Sequence, residues 1–125
     1  MITKLLIIGA GGAVGATLRY TISTLTHRVA DTGFPLGTLM VNFLGCLVMG
    51  VFVALAEERQ LFSPAFRTFA LIGILGAFTT FSTFTHESYM LIKNGDILHA
   101  TANVAFTLAS CFAGFVLGFY ASRLA

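Results

Sequence analysis

The chain has 125 residues, of which 57% are hydrophobic and only 10% charged, with a formal net charge of +2 and a mean hydropathy of +0.91. An ordinary soluble domain carries about 25% charged residues, so a water-exposed globule is excluded. The basic residues are scattered and form no cluster, so a nucleic-acid partner is not expected either. What remains is a chain built for a bilayer.

The first apolar run predicts a span over about residues 3–26. Lys4 ahead of apolar and small residues has the look of a signal peptide. The run continues past the length of a signal core, however, and cleavage would leave no soluble domain to export. Gly11 and Gly15 form a small-xxx-small pattern suited to close helix contact. Arg19 lies roughly two thirds of the way along the span, and an arginine at that depth is costly to desolvate. An anion or an aqueous vestibule would account for it; snorkelling to the nearer interface would do so equally.

The second span covers about 34–57, with no charge over the 23 positions from 34 to 56. Asn42 lies within it, Thr38 one turn before and Gly45 and Cys46 one turn after. Its amide can donate to a substrate or to a neighbouring helix.

The third span, about 65–93, runs uncharged for the 19 positions from 68 to 86, up to Glu87. Its centre reads "GAFTTFSTFTHE". Gly73 and Gly76 followed by β-branched Thr79, Thr80 and Thr83 weaken a helix locally, which predicts a break near 76–80. A break at membrane depth frees carbonyls that need partners and can hold a cation. The competing reading is a continuous helix whose hydroxyls bond back to their own backbone. Beyond the break, Phe78, Phe81 and Phe84 recur every three residues as a ridge beside Ser82 with Thr85 and Thr83 with Glu87. Phenylalanines so spaced serve core packing or lipid contact, but ring edges carry partial positive charge and beside hydroxyl donors suit a small anion. Glu87 fits a proton carrier, a pore-mouth charge or an interfacial residue.

The fourth span, about 97–122, has no Asp, Glu, Lys or Arg over 26 positions. Asn103, Thr107 and Cys111, with Ser110 adjacent, draw a polar stripe that suits helix contact or a conduction path. Gly114 and Gly118 repeat the small-residue pattern. Cys46 and Cys111 lie inside spans as small apolar thiols, without metal or redox spacing.

Connections between the spans are short, so residues 1–125 form a single four-span transmembrane domain and function must reside within the spans. Four short helices cannot alone enclose a water-filled path and bury their polar groups, which favours an oligomer. With alternating spans, Lys4, Arg59, Arg67 and Arg123 fall on one side; Arg28 and Lys93 fall on the other, with Arg19 leaning that way. So weak a bias permits either insertion both ways up, giving an antiparallel homodimer, or a single orientation.

The segments "GGAVGATLRY", "PLGTLMVNFLGC" and "GILGAFTTFSTFTHE", in this order across the spans, closely resemble the Fluc (CrcB) family of fluoride channels. The resemblance covers essentially the whole chain and implies an all-α membrane protein, working as an antiparallel dual-topology homodimer with two pores. It implies a passive, selective channel in the inner membrane of a prokaryote that lets accumulated fluoride leave, with a structural sodium ion at the dimer centre; no enzyme is expected. By motif position, Gly76 and Thr79 resemble the sodium ligands through backbone carbonyls, and Phe81 and Phe84 the pore phenylalanines. Asn42 resembles the pore asparagine, Ser82 and Thr83 the hydroxyl track, Arg19 the vestibule arginine, and Glu87 the acidic residue of the motif's tail. Asn103, Thr107 and Cys111 stand where relatives carry other polar residues, with Thr107 a pore candidate; His86 departs from the motif and is assigned no role. Two alternatives stand beside this reading. A proton-coupled small multidrug-type exporter needs a first-span carboxylate where this chain has Arg19. A non-conducting membrane subunit leaves the central break without a purpose.

Overall fold

The computed structural model describes residues 1–30, 32–58 and 60–124; Asp31 in the first connection and Arg59, counted in the charge balance above, lie outside the described residues. Among the described residues, four helical spans are long and apolar enough to cross a membrane: Ile2–Val29, Leu36–Glu57, Pro64–Lys93 and Ile97–Leu124. The first, second and fourth are the continuous helices α1 (Ile2–Val29), α2 (Leu36–Glu58) and α6 (Ile97–Leu124). The third is composite. It runs through α3 (Pro64–Arg67), a π-helical segment (Thr68–Leu75), α4 (Gly76–Phe78) and α5 (Phe81–Lys93).

Local chemistry sets the ends of these elements. Ser63 caps α3 by accepting the Phe66 N–H at 3.3 Å, and Pro64 fills the first helical position, where its missing N–H costs nothing. At the other end of the span, Gly95 turns the chain at φ +81, and Asp96 starts α6 by accepting the His99 N–H at 3.2 Å. His99 Nδ1 also meets the Asp96 carboxyl at 2.7 Å, and these two bonds hold that carboxyl below the usual carboxylate range.

Packing is set by glycine faces. A Cβ on Gly11 would press on the Phe69 carbonyl and Gly73 Cα, and one on Gly15 would overlap the Ile74 carbonyl. The first small-residue face therefore seats α1 on the π-helical segment. The second seats α6 on α2, where a Cβ at Gly118 would overlap the Leu47 carbonyl and one at Gly50 the Phe115 carbonyl. Of all element pairs, α2 and α6 pack most extensively. The third span changes neighbours along its length: its π-helical segment and α4 lie against α1, and α5 lies against α6.

Burial is inverted relative to a water-soluble protein. Thr38, Asn42, Thr80, Ser88, Asn103 and Thr107 are buried, whereas large apolar side chains such as Leu6, Phe106, Phe112 and Leu117 are exposed. Hydrocarbon offers polar groups no partners, so they turn inward and meet one another.

Candidate functional site

The centre of the third span carries the break that its glycines and threonines predict. Thr79 (φ −80, ψ 155) and Thr80 (φ −149, ψ 115) are extended between α4 and α5, although the span as a whole bends by only about 12°. In a continuous helix the Thr80 N–H would bond the Gly76 carbonyl, and the Thr83 N–H would bond the Thr79 carbonyl. Both donors are diverted. The Thr80 N–H donates to Asn42 Oδ1 at 2.8 Å, and the Thr83 N–H donates to Thr80 Oγ1 at 3.2 Å as the cap of α5. The carbonyls of Gly76 and Thr79 thus lose their helical donors.

Asn42 repairs the break from α2. Besides accepting from the Thr80 N–H, its Nδ2 donates to the Thr80 carbonyl at 3.0 Å, so one side-chain amide satisfies both polar groups of one extended residue. An amide nitrogen carries two hydrogens, and the second stays available. Gly45, one turn on, permits the approach: a Cβ there would overlap Thr79 Cγ2 and sit 3.2 Å from Phe78 Cδ1.

An inner cavity of about 270 Å³ lies beside the break, bringing together Asn42, Thr79, Thr80, Phe81, Phe84 and Thr107, with Gly45, Cys46, Met49, Leu108 and Cys111 completing its wall. The rings of Phe81 and Phe84 meet at 5.4 Å between centroids and 46° between planes. Phe84 is buried at 6% exposure, whereas Phe81 stands at the outer edge with 74%. Phe78 does not join them. The helical count does not run through an extended pair, and Phe78 is instead buried next to Gly45.

A second cavity, of about 320 Å³, adjoins the first through Thr80, which lines both; its wall includes Arg19, Ser23, Thr38 and Thr83. Arg19 therefore faces a polar cavity. Thr83 Oγ1 accepts from Thr80 Oγ1 at 3.0 Å, which leaves the Thr83 hydroxyl proton free to point into this space. Further towards the membrane surface, Glu87 lines an opening of about 360 Å³ with His27 and His86. One carboxylate oxygen of Glu87 accepts from Thr38 Oγ1 at 2.8 Å; the other is buried and has no hydrogen-bond partner among the described residues.

Of the residues singled out by sequence, Asn42, Thr79, Phe81, Phe84 and Thr107 line the inner cavity, Arg19 and Thr83 the second cavity, and Glu87 the outer opening. Ser82 and Gly76 lie outside all three, on the exposed face of the third span. The fourth-span stripe divides by role. Asn103, 1% exposed, donates to Ser88 Oγ at 2.9 Å, and Ser88 in turn donates to the Phe84 carbonyl at 2.8 Å. Thr107 joins this chain by donating to Asn103 Oδ1 at 3.3 Å. Sequence reading gave no role to Ser88 or Gly45; the spacing Phe84 to Ser88, one helical turn, was the available signal for the former.

The pattern described as "CrcB-like protein, Camphor Resistance (CrcB)" matches residues 6–119. The chain is also 44% identical to the "Fluoride-specific ion channel FluC" of Shewanella halifaxensis (strain HAW-EB4), over 115 residues that cover 92% of each. Identity to the proteins of the same name from Shewanella baltica (strain OS155 / ATCC BAA-1091) and Shewanella amazonensis (strain ATCC BAA-1098 / SB2B) is 45% and 44%, again over 92% of each chain. With the family pattern spanning nearly all four helices and identities of this level along them, the chain belongs to the CrcB family.

Proposed function

We propose that this protein is a fluoride-specific channel of a bacterial inner membrane, passing fluoride passively and electrogenically outward so that cytoplasmic fluoride stays low. It moves an ion and performs no enzymatic chemistry. The observation that carries this reading is the inner cavity, where two phenylalanine rings and an asparagine amide converge with no formally charged side chain in the wall. Fluoride is small and strongly hydrated. A pore for it must replace water with donors and positive ring edges yet avoid a full charge that would hold the ion fast. The free Asn42 N–H is such a donor, while the Thr83 hydroxyl lies with Arg19 in the adjoining cavity and Glu87 lies at the outer opening. Ser82 extends the hydroxyl row on the outer face, 3.3 Å from Thr80 Oγ1.

The channel works as an antiparallel homodimer. The weak bias of basic residues across the spans permits dual insertion, and the exposure of Phe81 at the cavity edge supports completion of the pathway by a second copy. The carbonyls of Gly76 and Thr79, deprived of helical donors, fit a structural sodium ion that is held and not transported. One chain supplies only these two, so a two-fold arrangement around the exposed Gly76 face would complete the coordination.

Purified protein in vesicles loaded with fluoride tests the reading with a fluoride electrode. Rapid electrogenic efflux without a proton gradient is expected, and its absence under all sodium conditions would refute a channel. Replacing sodium by a bulky organic cation should abolish the flux; unchanged flux would remove the sodium site. Tags at either terminus should be reachable from both sides of the membrane, and one-sided access would exclude dual insertion.

A further inference from the structure

The inner cavity contains a second set of chemical groups that an anion pathway does not use. Cys46 and Met49, one helical turn apart on α2, and Cys111 on α6 all line it. Both cysteines are free, partly exposed thiols, and they line this one cavity from the packed helices α2 and α6. Sequence spacing separates Cys46 from Cys111 by most of two spans, so this sulfur cluster exists only in the fold.

We propose that Cys46, Cys111 and Met49 form a site for a soft, thiophilic metal ion of the Hg(II), Ag(I) or Cu(I) class, and that its occupancy closes the inner cavity. Soft thiolate and thioether donors select such ions, and the cavity's other polar groups, an amide and hydroxyls, are hard donors that do not compete for them. Two thiols and one thioether on converging helices offer a bridging site, with the thioether as a neutral third donor. With mercuric chloride the step balances without redox change. Each Hg–S bond forms as a thiol gives its proton to water and an Hg–Cl bond breaks to release chloride, so two bonds release two protons and two chlorides. Thr107 lies one turn from Cys111 on α6, and Asn42 one turn from Cys46 on α2, so an ion held between the thiols lies beside the groups that contact a passing anion. The closure half of the proposal rests on the channel reading; the binding half does not.

The test uses the full chain in lipid vesicles without reductant, given mercuric chloride in excess over total thiol and washed with a monothiol, glutathione. Mercury retention is then measured by mass spectrometry and fluoride efflux by electrode on the same vesicles. The wild-type chain is expected to retain one mercury per chain through the wash, because two bridging thiolates resist a monothiol, and to lose at least tenfold in efflux until dithiothreitol restores it. Cys46→Ser and Cys111→Ser, each confirmed monodisperse by gel filtration, should retain at most a tenth as much, and Met49→Leu should release the ion severalfold faster. Two mercury ions per wild-type chain, or single variants that retain as much as wild type, would show independent thiols and overturn the site. One retained ion with undiminished efflux would overturn closure. Absence of efflux before any metal is added would overturn the channel reading, while retention would still decide the site.

Discussion

Replacing Asn42 by leucine tests the physical account of the broken span. The substitution keeps side-chain volume roughly constant and removes both bonds to Thr80, at 2.8 and 3.0 Å, each of ordinary hydrogen-bond geometry. Asn42 and Thr80 are both buried at 8% exposure, so water cannot take over. A buried backbone group left without a partner costs about 1–3 kcal/mol, and two are orphaned here, which sums to about 2–6 kcal/mol. Hydrogen bonds between membrane helices average only about 0.6 kcal/mol, because the unfolded chain in lipid also finds partners; that figure alone would give about 1 kcal/mol for two bonds. The orphaned groups sit on a peptide that cannot return to helical pairing without rebuilding the break, so the larger figure should dominate. Thr80→Val supplies an internal scale: it keeps the Asn42 pair and removes the cap of α5, worth about 1 kcal/mol, together with the hydroxyl bonds to Ser82 and Thr83. Thermal or denaturant unfolding in detergent should therefore rank Asn42→Leu as the most destabilised, Thr80→Val next, and exposed Ser82→Ala close to wild type. An Asn42→Leu protein with wild-type stability and wild-type efflux would refute the claim that this amide holds the break together. Wild-type stability with lost efflux would mean that Asn42 acts on the ion alone.

Phe84→Ile and Phe81→Ile should each lower fluoride efflux sharply while the protein stays monodisperse; wild-type rates in both would return these rings to a packing role. Gly45→Ala places a methyl group where Thr79 Cγ2 already sits, so overpacking of about 1–3 kcal/mol and a displaced break are expected, seen as lowered unfolding temperature together with reduced flux. A stable, fully active Gly45→Ala protein would show that the break does not need this close approach. Arg19→Gln should reduce efflux severalfold and Arg19→Lys much less, because the vestibule needs positive charge more than a guanidinium fork; equal effects of the two would argue for a structural arginine. Asn103→Leu should loosen α6 from α5 by removing the bond to Ser88, read as lowered unfolding temperature, and unchanged stability would assign that chain of hydrogen bonds no structural weight.

The four spans were legible along the chain because hydrophobicity and the lack of charge are local properties of composition, unaffected by which neighbour each helix meets. The break at Thr79 and Thr80 was legible for a related reason: clustered glycines and β-branched residues weaken a helix wherever it lies. What that reading missed was directional. It counted Phe78 onto the ridge of Phe81 and Phe84, because helical spacing was carried through residues that turned out extended. It also offered no hint of the π-helical segment over Thr68–Leu75, which packs closely against Gly11 and Gly15 of α1.

Arg19 shows the division most clearly. Its depth was evident from its position in the first span, but snorkelling and a vestibule were equally consistent with depth alone; only the fold placed it on one cavity wall with Thr38 and Thr83. Asn42 likewise carried a donor and an acceptor whose targets were open, until the fold placed it against a residue 38 positions away. The sequence by itself determined how much of the chain lies in the membrane, where the third helix fails and which polar groups must be satisfied, since each follows from local chemistry. Which groups satisfy one another, and which cavity each faces, depended on how four helices rotate and pack, and that is settled by long-range contacts between glycine faces that no local window contains.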